Sequence, residues 1–563
     1  MRQWAIGLLP VSFLTLLFFL PVFEILKEAS SYSLSPVREI LSSARFWEIT
    51  WFTIWQSLVS TFLSITFAFP AIYLFTKYEF KGKKVLRSLI TIPFVLPTVV
   101  VGSAFTAVFT RFNLDEGSIN LRHTVWAILI AHIFFNASIA IRIISTYWDG
   151  LNDNPENQSR ILGTGKIRTF FRITLPRLNP ALFSAATTIF LFCVTSFGII
   201  LILGGPKNST IETEIWRQAI WRGEISTASA FAVIQLTFVI LLSWGLIKAE
   251  KKSASSEELS RVRRKKPLKR TLTFHFTYLF CLFGLPILIL LERSLRLDGS
   301  GLFAFFTGLT QRTNIIPITP IASLWNSLRF AMLASLIAAL IGLAASTVIV
   351  HGSKKLSTFL NVSTSIPLGV SAVTIGFGIF LSFSGPLTNL RSSQLMIPAL
   401  HALLGIPFVI RSVVPTMRRI PTLLYENSQL LGVKPIKSWF NIDLKLSLRS
   451  LLVGAGFSFA ISLGEFGATS FLPRNPDTLT APLVIYRLLS TPGQELRGQA
   501  MALSVILAFI TSLSIFLIEM VRKRTNSHQF VSSKLIACFV LQGDHRCPRD
   551  ALSRSCCHFA SRQ

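Results

Sequence analysis

Glu465 stands out as an acidic side chain set inside a long apolar run, Ser462-Leu463-Gly464-Glu465-Phe466-Gly467, and essentially no other acid shares that setting. A carboxylate at membrane depth is costly. It marks either a path that favours a cationic solute or a helix-end carboxylate held by hydrogen bonds at an outer mouth. Ser196 stands at the corresponding place earlier in the chain, and Phe197 follows it as Phe466 follows Glu465. Any charge in such a path is therefore one-sided. Ser196, Phe197, Glu465 and Phe466 are the candidate path residues, and the two rings could face a cation. His132 and His401 also fall inside apolar runs and read as hydrogen-bonded packing groups rather than ligands. Other chemistry is scarce. No nucleophile–base set or His/Asp/Glu cluster is present, and no Gly-x-x-x-x-Gly-Lys-Ser/Thr loop offers a cradle for ATP phosphates. The sequence therefore assigns no catalytic, cofactor-binding or metal residue, and the chain reads as no enzyme. Cys538, Cys547, Cys556 and Cys557, with His545 and His558, match no zinc spacing.

A second signal is a polar, basic segment that occurs twice. The first copy has Asn157-Gln158-Ser159, Gly163, Ile173, Leu175 and Pro176; the second has Glu426-Asn427-Ser428, Gly432, Ile442 and Leu444. Glycine in such a segment permits the backbone angles of a sharp turn. Each copy therefore predicts a helix–turn–helix elbow with a basic, amphipathic second arm, able to lie in a groove of a cytosolic partner.

The elements that carry these residues follow from composition. The chain has 563 residues, is 51% hydrophobic and only 14% charged, and has a mean hydropathy of +0.57. Its apolar residues are blocked into stretches of bilayer-crossing length. An all-α polytopic membrane protein of about twelve helices is predicted, with spans near 5–27, 50–76, 86–112, 122–146, 179–204, 228–248, 271–292, 323–350, 359–384, 392–414, 449–473 and 498–521. The first run is too long for a signal peptide and reads as an uncleaved span. The net charge of +29 would suggest nucleic acid in a soluble protein. Here the Lys and Arg cluster between apolar runs, as cytoplasmic loops do, and no basic surface remains for nucleic acid. With both termini cytoplasmic, the basic loops and both repeated segments share one side. The division is 1–248, a basic linker 249–270, 271–524, and a tail 525–563 without apolar pattern that reads as disordered. The elbow loops span 147–178 and 415–448. The halves repeat: His132 and His401, Arg142 and Arg411, and Gly163 and Gly432 share an offset of 269, while Pro93 and Pro367, and Gly102 and Gly376, share 274. Six spans per half make the repeat parallel.

The elbow segments resemble the EAA motif of ABC-importer permeases: Glu-Ala-Ala, three residues, Gly, nine residues, Ile-x-Leu-Pro. The second copy keeps Glu426, Gly432, Ile442 and Leu444 and has Lys445 for Pro; the first keeps Gly163, Ile173, Leu175 and Pro176 and has Asn157 for Glu, with Glu156 one residue early. The resemblance covers residues 1–522. It implies a type I importer fold, a lipid bilayer setting in a prokaryotic plasma membrane, and elbows that dock into two separate ATP-binding subunits. It also implies an external solute-binding protein. ATP and Mg would be used by the partner ATPase, and this chain would bind no cofactor. Within the family, Ala131-His132-Ile133-Phe134-Phe135-Asn136, Leu203-Gly204-Gly205-Pro206 with Thr210-Ile211-Glu212, and Ser462 to Gly467 are similar to thiamine permeases; ferric-iron permeases are the alternative. The rival from another class is an ion-coupled secondary transporter, which would carry several intramembrane charges and would leave the paired elbows unexplained.

Overall fold

The computed structural model describes residues 2–30, 35–115, 120–253, 266–295 and 301–542, and every regular element among them is helical. The first half runs α1 (Ile6–Ser30), α2 (Ala44–Lys77), α3 (Lys83–Val95) and α4 (Thr98–Arg111), α5 (Val125–Trp148), α6 (Asn154–Ile161), α7 (Lys166–Arg177) and α8 (Asn179–Val194), α9 (Gly198–Leu203), α10 (Ile211–Trp216) and α11 (Ile225–Ser253). The second half runs α12 (Lys269–Leu295), α13 (Pro320–His351), α14 (Lys354–Ser363), α15 (Ala372–Ser382), α16 (Met396–Met417), α17 (Thr422–Leu430), α18 (Pro435–Gly464), α19 (Ala481–Ser490) and α20 (Gln494–Gln542).

Among the described residues, nine helices are long and apolar enough to cross a bilayer. The pairs α3/α4, bent by 97°, and α7/α8, bent by 67°, bring the number to eleven. The twelfth expected span, 359–384, is not one helix. Pro367 cannot continue the ladder, so the chain breaks after α14, makes a short turn Ile366–Gly369 and resumes as α15 from an extended Ser371. The expected spans 179–204 and 449–473 also stop early, at Val194 and Gly464, and the chain turns before continuing as α9 or as the short turn Thr469–Phe471. In the other direction, α20 runs on to Gln542, into the segment read as an irregular tail, since no Gly or Pro interrupts it after Gly498. The linker residues 254–265 and the tail residues 543–563, with Cys547, Cys556 and Cys557, lie outside the described residues.

Side chains of the longest spans that face outwards are large and apolar, such as Trp51, Phe62, Trp325, Met332 and Phe509, as contact with lipid requires. Inward faces carry small and hydroxyl residues that let helices approach. On α2 these are Thr53, Gln56, Ser57, Ser60 and Ser64, all buried.

The two halves are interlocked. Leu14, Leu17 and Phe18 of α1 bury against Phe330, Ala334 and Ala338 of α13 in the second half. Gly378 of α15 admits Pro21 so closely that an added Cβ would lie 2.8 Å from it. Conversely, Phe283 of α12 packs on Phe134 of the first half, rings 6.1 Å apart. Each of these first spans carries one π turn, Thr15–Phe19 or Phe280–Gly284, just before Pro21 or Pro286. A proline with no N–H to give opens the ladder there.

The repeat extends to single hydrogen bonds. The backbone N–H of Ile211, at the start of α10, donates to Thr53 Oγ1 at 3.2 Å; that of Ala481, at the start of α19, donates to Ser327 Oγ at 2.8 Å. Thr53 and Ser327 differ by 274, as other paired residues do. Gly102 and Gly376 share that offset but not their surroundings. A Cβ on Gly102 would meet the Ile202 side chain at 2.7 Å, whereas one on Gly376 would meet backbone atoms of Ala468 at 2.6 Å. A side chain can yield and a packed backbone cannot. Gly376→Ala is therefore expected to cost about 1–3 kcal/mol and more than Gly102→Ala. Thermal unfolding of the two variants in detergent checks this, and equal losses would contradict it.

Candidate functional site

Both predicted elbows form, with the same hydrogen bonds. In the first, Leu162 N–H donates to Gln158 O, Gly163 N–H to Arg160 O and Thr164 N–H to Ser159 O, each at 3.0 Å; in the second, Leu431, Gly432 and Val433 donate to Asn427, Gln429 and Ser428 at 3.0, 2.9 and 3.0 Å. Gly163 and Gly432 hold positive φ values of 79° and 67°, which closes a glycine-terminated helix in each copy. Each second arm carries a π turn, Phe170–Thr174 or Phe440–Leu444. Lys445 in place of Pro does not remove it. Ile173, Leu175, Ile442 and Leu444 are half-buried, Pro176 is exposed, and all lie on the arm that leads into α8 or α18.

Asn157 and Glu426 are both exposed at the same position of the two elbows, so the second presents a carboxylate where the first presents an amide. Glu156 does not stand in for it. It is buried, 2.8 Å from Lys77 Nζ, and accepts from Thr174 Oγ1 at 2.9 Å. A feature absent from the motif reading is the apolar tip. Ile161 and Leu162 are 85% and 83% exposed, and Leu430 and Leu431 85% and 80%. The exposed pairs of apolar residues before each glycine were the available signal.

At the other candidate site, the breaks after α8 and α18 meet where the halves touch. Phe197 and Phe466 stack across the boundary, centroids 5.3 Å apart and planes 28° from parallel. Trp216 packs edge-on to Phe197 and Tyr486 lies against Phe466; Trp216 and Tyr486 also touch, at 6.0 Å. The four rings close on one another. Each Phe turns one face to the other ring.

The histidines hold the breaks. His132 meets Ser60 Oγ at 2.9 Å through Nδ1 and Ser196 Oγ at 3.0 Å through Nε2. His401 meets Ser462 Oγ at 2.7 Å and Thr469 Oγ1 at 2.8 Å, and its Nε2 lies 3.2 Å from Glu465 Oε2. Glu465 accepts from the backbone N–H groups of Ala468 at 2.7 Å and Thr469 at 3.0 Å, and from the Thr469 hydroxyl. Of the two readings of Glu465, the geometry is that of a helix-end carboxylate saturated by donors. A cavity of about 320 Å³ lies beside the stacked rings, lined among others by Asn136, Ser196, Phe197, Ser371, Glu465 and Phe466. Among the described residues, Asn136 Oδ1 has no hydrogen-bond partner.

Glu465 is not alone. Glu212 and Glu214 are equally buried, which corrects the expectation of a single such acid. Glu212 accepts from Gln235 Nε2 at 2.9 Å and from Ser371 Oγ at 2.5 Å, the latter in the other half. Glu214 accepts from Arg217 and Gln218, at 2.8 and 2.6 Å. Both ride on α10, too short and too polar to stand out from an outer loop by hydropathy.

Two interlocked halves, each with a glycine elbow, define the membrane-spanning permease subunit of a binding-protein-dependent importer. The chain belongs to the family described as "Binding-protein-dependent transport system inner membrane component", which it matches twice, over residues 60–249 and 338–527. Its relatives include the thiamine transport system permease protein ThiP of Brucella abortus (strain 2308), 25% identical over 480 residues that cover 82% of this chain and 86% of the relative. ThiP of Haemophilus influenzae is 24% identical over 78% of this chain and 82% of its own length, and ThiP of Escherichia coli (strain K12) 23% identical over 82% and 87%. A probable sulfate transport system permease protein of Prototheca wickerhamii is 28% identical over 34% of this chain and 78% of its own length.

The unequal partners of the two histidines set an expected outcome. His401→Leu removes a donor from a buried carboxylate, at about 2–3 kcal/mol, whereas His132→Leu frees only neutral hydroxyls, of which Ser60 can bond its own helix, at about 1 kcal/mol. Thermal unfolding of the purified variants measures the difference; a larger loss in His132→Leu would contradict it.

Proposed function

We propose that this chain is the permease of an ATP-driven importer of thiamine or a thiamine phosphate. The observation that carries the substrate is the similarity to thiamine permeases along four-fifths of the chain, which reaches into both halves. A flat, cationic heteroaromatic solute also suits a path closed by Phe197, Phe466, Trp216 and Tyr486. When the halves separate, those rings would be released to face it. The cavity with its unpartnered Asn136 Oδ1 would supply an acceptor.

In this reading an external binding protein delivers solute to the mouth opposite the elbows. Two ATP-binding subunits, which use ATP and Mg, take the elbow tips centred on Gly163 and Gly432 into grooves. The apolar pairs Ile161–Leu162 and Leu430–Leu431 enter the groove, and Asn157 and Glu426 lie beside it. Ile173, Leu175, Pro176, Ile442 and Leu444 join each tip to its span. Closure of the ATPases brings the elbows together and parts the stacked rings; hydrolysis restores them. The permease is then a two-state element biased from both faces. Both termini lie on the elbow side, where the basic loops cluster.

Uptake of radiolabelled thiamine, with ferric iron in parallel, tests the reading in cells that hold the permease, its ATPase and its binding protein. Gly432→Asp is the control, because a Cβ there meets nothing within 4 Å and the strain falls on the turn itself. Thiamine uptake should fall at least about ten-fold in the variant at unchanged protein level. Iron uptake in place of thiamine would overturn the substrate, and uptake that survives the substitution would overturn the role of the elbow.

A further inference from the structure

Each elbow is fastened to the end of a spanning helix of its own half through a buried carboxylate, with the half-buried Asp153 also 2.9 Å from the helix-end lysine Lys77 in the first half. The two carboxylates sit on opposite arms. In the first half the acid is Glu156, on α6: its Oε2 lies 2.8 Å from Lys77 Nζ at the end of α2, and its Oε1 accepts from Thr174 Oγ1, on the second arm, at 2.9 Å. In the second half the acid is Asp443, on the second arm: its Oδ1 lies 2.8 Å from His351 Nε2 at the end of α13 and accepts from Tyr425 OH, on α17, at 2.7 Å. Glu156 and Tyr425 are the same position at the offset of 269, as are Thr174 and Asp443; Lys77 and His351 are the same position at 274. Acid and hydroxyl have traded places, and the nitrogen donor at the helix end has stayed.

We infer that Glu156 and Asp443 are positioning residues for energy coupling, each binding both arms of an elbow and one spanning helix into a single moving piece. This rests on the reading of the elbows as the ATPase contact. The physical ground is that a buried carboxylate must keep its donors. Here the donors come from the three parts that have to travel together. Pulling the elbow away from its span would strip the acid of its charged or imidazole partner, and opening the elbow would strip it of its hydroxyl. The Tyr425 hydroxyl is held above its usual range by burial and by the hydrogen bond to Asp443, so it stays protonated and donates. What the two halves keep is the bond, not the acid at a given position.

In the first half the fastening reaches the contact between the halves. From Lys77, α2 runs back 17 residues to Ser60, about 25 Å at helical rise. Ser60 holds His132, which holds Ser196 beside the stacked Phe197. The second half lacks that last bond to α13, since Ala334 takes the place of Ser60 and His401 turns instead to Ser462, Thr469 and Glu465.

The exchange supplies its own test. In proteoliposomes that hold the permease with its ATPase, ATP hydrolysis stimulated by the binding protein is measured for wild type, Glu156→Tyr, and Glu156→Tyr with Thr174→Asp. The single variant should lose stimulation about ten-fold, and the double variant, which transplants the second half's arrangement into the first, should recover to within about three-fold. Assembly is read separately by co-purification of the ATPase; where Glu156→Tyr does not assemble, recovery of assembly in the double variant supports the inference equally. Undiminished stimulation in the single variant, or a double variant that assembles but stays at the level of the single one, overturns it. Thiamine uptake measured alongside separates the two readings, because wild type that fails to move thiamine but keeps stimulated hydrolysis sinks only the substrate.

Discussion

A helix that breaks inside a bilayer frees backbone donors and acceptors with no water to receive them. That requirement organises much of this molecule. The chain breaks near the contact between the halves after α8 and after α18, and short helices re-enter as α10 and α19. Each break and each re-entry is closed by a side chain. Thr53 and Ser327 receive the first N–H of the re-entrant helices, Glu465 receives two backbone N–H groups of its own turn, and Asn326 donates to the carbonyls of Pro476 and Leu479. The buried polar stripe along α2, the two histidines and the buried acids are explained by this duty before any role in transport is considered.

The duty also bears on why the halves differ. Where Ser196 suffices in the first half, a carboxylate stands in the second, and its histidine answers with a closer set of partners. Where the first elbow carries its acid on the first arm, the second carries it on the second arm. A duplicated fold constrains where donors and acceptors must meet but not which side chain supplies which end. Sequence repeats in such a protein can therefore look poorer than the structural repeat is. Asn157 in place of Glu, and Lys445 in place of Pro, are departures from the motif that leave the elbow's hydrogen bonds and its π turn intact.

Much of the architecture was legible from residues alone. Apolar blocks of bilayer length gave the helical class and most span positions, and paired glycines at one offset gave the elbows. Other features were hidden for identifiable reasons. Pro367 and the turns at Ser196 and Glu465 lie within continuous apolar sequence, so hydropathy reads through breaks that hydrogen bonding reveals. Glu212 and Glu214 lie on a helix of six residues among polar neighbours and look like loop acids until the fold buries them. The partners Lys77, Thr174, His351, Tyr425 and Asp443 are ordinary polar residues at helix ends and on the elbow arms. Only the approach of two distant segments gives them meaning.

The crossing of α1 into the second half has a consequence for how the protein is made. Leu14, Leu17 and Phe18 find their packing partners at Phe330, Ala334 and Ala338, so the first helix enters the membrane long before its neighbours exist. The ribosome must add about three hundred more residues before α13 arrives, which at ordinary synthesis rates is tens of seconds. For that interval the N-terminal part of α1 lacks these second-half partners, although its C-terminal end meets α11 of the first half, where Ser226 Oγ donates to Glu28 Oε1 at 3.1 Å, and the first half stays incomplete until α12 comes to cover it. Neither half can finish alone. A truncated product that stops at the linker would be an unfinished bundle rather than half a transporter, which makes it a substrate for membrane quality control.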